Sequence, residues 1–159
     1  MSLALNPPHL TVACIIEERG KFLFVKEKIG GCIVYNQPAG HLESNETLID
    51  AAKRETLEET GWVVDISHFL GIYQYTSRDE ICYVRHCFVA RPKNLKKDFK
   101  LDEPIIDICW LSPNEAKALS HQMRSPLVLT TLKDYLLGNF YPLELLNSEI
   151  KTRPRTLNA

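Results

Sequence analysis

The stretch that decides the fold runs Gly40-His41-Leu42-Glu43-Ser44-Asn45-Glu46 and, after seven further residues, Arg54-Glu55-Thr56-Leu57-Glu58-Glu59-Thr60-Gly61-Trp62. Ser44 or Asn45 is placed to cap a helix, Glu46 falls near its positive end, and Gly61 suits the position just past its C-terminus. At about 100° per residue, Glu55, Glu58 and Glu59 share a helical face with Leu48, Ala51 and Ala52 one to two turns earlier. A stripe that begins apolar therefore ends in three carboxylates. Like charges at these spacings destabilise by roughly 0.2–0.5 kcal/mol per pair when exposed. Burial raises that penalty unless a cation compensates. Oxygen ligands without His or Cys select a hard ion, Mg²⁺ or Mn²⁺, over zinc. Arg54, one turn before Glu58, is positioned to orient a carboxylate.

Three glutamates alone describe a solvated helix face, since Glu is a strong helix former. The wider pattern changes that. It reads Gly, five residues, Glu, seven residues, Arg-Glu, two residues, Glu-Glu, one residue, Gly. Seven fixed positions at roughly 6% each arise by chance on the order of once in 10⁹ starts.

Working outward, the apolar run Thr11–Glu17 reads as a strand, joined through Arg19-Gly20 to a second over Lys21–Lys28. Cys32–Tyr35 reads as a short strand, and Pro38-Ala39-Gly40 as the end of regular structure. Beyond the helix, Trp62–Tyr75 reads as strand broken near Gly71. Glu80–Ala90 is a further strand closed by Arg91-Pro92, with a loop over Lys93–Glu103. Ile105–Leu111 is another strand, followed by the capping box Ser112-Pro113-Asn114-Glu115. Ser125-Pro126 is placed to open a last helix through Leu137, stopped by Gly138. The order predicts one α/β domain over residues 1–159, with a core of about 9–145, flexible tails and a mixed sheet covered by helices on both faces.

Composition sets outer limits. Of 159 residues, 45% are hydrophobic and 25% charged, which is ordinary for a globular domain. A net charge of −1 argues against a nucleic-acid partner, which would call for a basic excess. No apolar run approaches the ~20 residues of a membrane span. MSLALNPPHL does not read as a secretory signal. Five cysteines (Cys14, Cys32, Cys82, Cys87, Cys109) lack metal-binding spacing, and all but Cys32 lie in apolar runs that favour buried thiols. The expected compartment is the cytoplasm, with a monomer or homodimer both compatible.

The spacing of the central stretch matches the Nudix box, and the chain resembles the Nudix hydrolase family. Thr11-Val12-Ala13-Cys14, Asn36-Gln37-Pro38-Ala39-Gly40-His41-Leu42-Glu43, Arg124-Ser125-Pro126-Leu127-Val128 and Tyr141-Pro142-Leu143-Glu144 are similar to bacterial Nudix phosphatases. That similarity spans about His9 to Leu145. Thr56 and Trp62 depart from the aliphatic residues usual at their positions, and neither is a ligand position. The resemblance implies a Nudix-type α/β/α sandwich and Mg²⁺-dependent hydrolysis of small-molecule diphosphates, with Mn²⁺ able to substitute.

It further implies that Glu55, Glu58 and Glu59, with the carbonyl of Ala39, ligate the metal. Gly40 lets the loop pass close, and Arg54 and Glu46 brace the glutamates. The general base is Glu58 within the box or Glu103 outside it, with Asp102 and Asp107 near the latter. Tyr73, Tyr75, Tyr83 and Arg85 alternate along two strands, where the aromatics could stack on a ring and Arg85 hold a terminal phosphate, or all could simply pack. Lys26, Lys28 and His41 are further phosphate contacts to test. Thr76-Ser77-Arg78-Asp79 stand where members specific for ADP-ribose or dinucleoside polyphosphates carry Pro or Tyr. Within the family this favours a broad nucleoside tri- and diphosphatase that also takes thiamin-pathway pyrophosphates. The alternatives are a house-cleaning nucleoside triphosphate pyrophosphohydrolase and a non-catalytic nucleotide sensor, the latter disfavoured by the intact glutamates.

Overall fold

The computed structural model describes residues 7–148; the expected terminal tails lie largely outside them. Strand β1 (His9–Glu18) turns through Arg19 and Gly20, both at positive φ, into β2 (Lys21–Ile29). Then come β3 (Cys32–Asn36) and β4 (Ala39–His41), a short strand where regular structure was expected to end. Helix α1 spans Leu48–Thr60, and β5 (Trp62–Thr76) and β6 (Cys82–Leu95) form a long antiparallel pair. β7 (Ile105–Leu111), α2 (Pro113–Ala118) and α3 (Leu127–Leu136) complete the main elements.

The seven strands form one mixed sheet in which β1 pairs with β6 in parallel and with β4 antiparallel, while β2 lies between β3 and β7. The alternation of β1 shows how two layers of helix are held. Val12, Cys14 and Ile16 pack with Ala51 and Ala52 of α1, whereas Ala13 and Ile15 pack with Ala116 of α2 and Val128 and Leu132 of α3. Every one of these side chains is nearly or wholly buried. The expected α/β/α sandwich is therefore the fold.

Several boundaries differ from the expectation. Thr47, rather than Ser44 or Asn45, caps α1, its hydroxyl accepting from Asp50 N at 3.0 Å. Asn45 is spent on a left-handed turn (φ 68°), which leaves Glu46 ahead of the helix. Near Gly71, β5 bulges but does not break, its register shifting while pairing continues. β6 runs past Pro92 because β1 stops pairing at Ala90, so the missing N–H meets no partner strand on that side. At α3, Ser125 makes no capping bond. The capping box at α2 forms as expected: Ser112 N donates to Glu115 Oε2 (2.7 Å) and Glu115 N to Ser112 Oγ (3.3 Å).

Candidate active site

Helix α1 carries two rows of side chains. The buried row continues Ala52, Thr56 and Thr60, with Thr56 Oγ1 bonded back to Ala52 O at 2.8 Å. The apolar stripe thus runs on through two threonines, correcting the expectation that it turns into the carboxylates. Glu55, Glu58 and Glu59 flank that row. Thr56 fits the helix by satisfying its own hydroxyl, and Trp62 packs edge-on against Trp110 with ring centroids 6.1 Å apart.

Arg54 organises the acidic side. Its Nη1 donates to Glu55 Oε1 (2.7 Å) and Glu58 Oε2 (2.9 Å). Its Nε and Nη2 grip both oxygens of Glu46 at 3.0 and 2.7 Å, and Nη2 also reaches His41 O at 3.0 Å. The guanidinium holds Glu46 below the usual carboxylate range, and these anions hold Arg54 firmly charged. Arg54 thus joins Glu46 to two of the three box glutamates.

Glu59 stands apart from this network. Its Oε2 accepts from Ala39 N at 2.9 Å, and burial, only partly offset by that bond, pushes its carboxyl up to about 8. Burial also raises Glu55 despite Arg54. Gly40 has an ordinary φ, but a Cβ there would fall on the Glu55 carboxylate. A side chain at this position would displace that carboxylate.

Among the described residues no three acids are gathered into a ready ligand cage. Arg54 holds two of the glutamates and Ala39 N the third. The donor set nonetheless fits a divalent ion: carboxylates with lone pairs to spare, one of them buried as an anion only at a penalty, and a side-chain-free glycine beside them.

Of these groups Ala39, Gly40 and Glu59 line a cleft of about 490 Å³, together with Tyr75, Tyr83 and Arg85, whereas Glu55 and Glu58 are not among its lining residues. Pairing Tyr73 with Arg85 and Tyr75 with Tyr83, the β5–β6 ladder brings the alternating residues onto one surface. Tyr73 does not line the cleft; its hydroxyl donates to Asp134 Oδ2 of α3 at 2.8 Å and its ring joins the α3-side core. His41 lines it, its Nε2 3.0 Å from His9 Nδ1.

Lys26 is 3.0 Å from Asp107 in an exposed ion pair, and Lys28 is exposed; none of the three lines the cleft. Asp102 N donates to Glu58 O at 3.1 Å, so the acidic loop lies against the end of α1, with Glu103 exposed beside it. Glu27, Asn36, Arg124, Ser125 and Thr11 also line the cleft and were not singled out as site residues from the sequence. Glu27 was legible in principle, because it alternates with Lys26 and Lys28, whose charges favour the outward face.

Comparison with known proteins agrees with this geometry. The family model of the NUDIX domain matches residues 7–131. Phosphatase NudJ of Escherichia coli is 41% identical over 140 residues, 87% of this chain and 90% of that protein, and the Shigella flexneri phosphatase NudJ matches equally. A NUDIX hydrolase from Nitrosomonas europaea superposes with a TM-score of 0.88 at 39% identity, covering 90% of this chain and 98% of the other. A MutT protein from Methanosarcina mazei, 20% identical at a TM-score of 0.66, shares the fold. With the glutamate helix, the cleft and these relatives together, the chain belongs to the Nudix hydrolases, enzymes that cleave phosphorus-containing anhydrides.

Proposed function

We propose that this Nudix hydrolase is a Mg²⁺-dependent phosphatase of nucleoside tri- and diphosphates that also accepts thiamin-pathway pyrophosphates. One observation carries the reading: the buried Glu59 carboxyl, backed by Glu55 and the side-chain-free Gly40, faces the same cleft as the Arg85 guanidinium. A substrate lying between them has its diphosphate beside the acids and its charge matched on the far wall. The similarity to phosphatase NudJ points the same way.

In this reading Glu55, Glu58, Glu59 and the Ala39 carbonyl hold the ion. The bound ion neutralises the diphosphate oxygens and helps activate water. Arg54 orients Glu55 and Glu58 through its hydrogen bonds, and Glu46 fixes Arg54. Glu58 or Glu103 takes the proton from the attacking water; Glu58 sits in the network, and Glu103 is reached from the adjoining loop. Tyr75 and Tyr83 offer stacking surfaces to the organic part of the substrate. The catalytic unit is one domain spanning the chain. No helix of the described residues is long and apolar enough to cross a membrane. With its five free cysteines the enzyme suits the reducing cytoplasm.

The test is a product-resolved screen of GTP, GDP, thiamin diphosphate and ADP-ribose with Mg²⁺. Orthophosphate from both GTP and GDP is expected. Pyrophosphate from GTP alone, with GDP inert, would instead favour a house-cleaning triphosphate pyrophosphohydrolase.

A further inference from the structure

The wall of the cleft away from α1 carries polar groups that the glutamate site does not use. Arg85 is 8% exposed, yet its guanidinium makes a single long hydrogen bond, 3.4 Å to Asn36 Oδ1, and its Nε has no partner among the described residues. Thr11 Oγ1, on the β1 residue paired with Arg85, and Ser125 Oγ are likewise buried without partners among those residues. Native folds leave few such atoms unsatisfied, and here three line one cleft. Ser125 is freed for this by making no capping bond to α3. Arg124 adds a second guanidinium, its Nη1 3.8 Å from the nearly buried Glu27 carboxylate. Glu27 and Asp79 are the acids beside these two guanidiniums, and Leu127, the first residue of α3, brings a positive helix end to them.

We propose that Arg85, Arg124 and Ser125 form an anion site, distinct from the glutamate cluster, that receives the free terminal phosphoryl group of the substrate. The proposal rests on the diphosphate-hydrolase reading and adds a selection rule to it. A free-ended di- or triphosphate presents a terminal group with up to two negative charges and three acceptor oxygens to two guanidiniums and a hydroxyl. A diphosphate capped at both ends, by a sugar or a second nucleoside, has no such group and leaves the two guanidiniums and the hydroxyl without an anionic partner. Free-ended substrates are therefore preferred. Glu27 offsets the repulsion between the two guanidiniums while the site is empty.

Two measurements on the full chain test this. In EDTA, calorimetry with inorganic pyrophosphate reads the anion site without the metal. Arg85→Gln and Ser125→Ala are each expected to weaken binding at least several-fold. With Mg²⁺, the preference for GDP over ADP-ribose in kcat/KM is expected to fall by about 10- to 100-fold in Arg85→Gln, the value of one charge-assisted contact. Equal losses on both substrates, or unchanged pyrophosphate binding, would overturn the proposal. Should Arg85→Gln lose its native circular dichroism, Ser125→Ala decides by the same two readouts. Wild-type protein that hydrolyses neither substrate would refute the hydrolase reading, while calorimetry still judges the anion site.

Discussion

Replacing Glu59 with glutamine separates the role of this carboxylate in catalysis from its role in folding. The side chain is buried and bonded to Ala39 N, and its carboxyl lies near 8 against an ordinary 4.5. A folded-state value above the unfolded one means stability is fully present below pH 4.5 and is lost as pH rises towards 8. At about 1.4 kcal/mol per pH unit, carrying Glu59 as an anion above pH 8 in metal-free protein costs on the order of 5 kcal/mol. The glutamine side chain keeps the shape and the acceptor for Ala39 N but never ionises. In EDTA, wild type and Glu59→Gln should therefore melt within a few degrees of each other at pH 5. At pH 9 the variant should melt higher, by about 10–20 °C if each kcal/mol moves Tm by about 2–4 °C. Glu55 repels Glu59, so removing the Glu59 charge relieves that repulsion as well and shifts the variant in the same direction. With Mg²⁺ the variant should lose at least ~10²-fold in kcat, having lost a metal contact. Parallel melting curves at both pH values would refute the burial argument, and near-normal turnover would return the glutamates to a solvated helix face.

Two further predictions test the neighbours of this group. Gly40→Ala places a Cβ on the Glu55 carboxylate, which must swing away from Arg54. Because a flexible side chain yields, thermal unfolding should change by less than about 1 kcal/mol, while a displaced ligand should lower kcat/KM by roughly 10²-fold. Tyr73→Phe removes a hydrogen bond to Asp134 outside the cleft. It should lower stability by about 0.5–1.5 kcal/mol and leave kcat/KM on GDP within about twofold; a larger kinetic effect would put Tyr73 back among the substrate residues.

The glutamate helix was legible because its signal is one of spacing. Residues fixed at positions 54, 55, 58 and 59 of a single α-helix cannot be rearranged by tertiary packing. The strands β1, β2 and β7 were legible from their apolar runs. What escaped depends on contacts distant in sequence. β4 is three residues long and exists only because β1 pairs with it across 26 to 30 residues of chain. The extension of β6 past Pro92 depends on where β1 ends. Ser125 looks like a helix cap in sequence; only the sheet position of Arg85 and the arrival of α3 show that it lines the cleft with its hydroxyl left without a partner among the described residues. Tyr73 and Tyr75 share a strand face, and only the placement of α3 over one of them separates their roles.

The central claim, that the box carboxylates work through a divalent ion on a diphosphate, is tested most directly by orthophosphate release from GDP by protein stripped with EDTA and then resupplied with metal. The account predicts no release from the stripped enzyme and recovery with Mg²⁺ or Mn²⁺, since the site offers only oxygen ligands. Full activity in the metal-free preparation would contradict it.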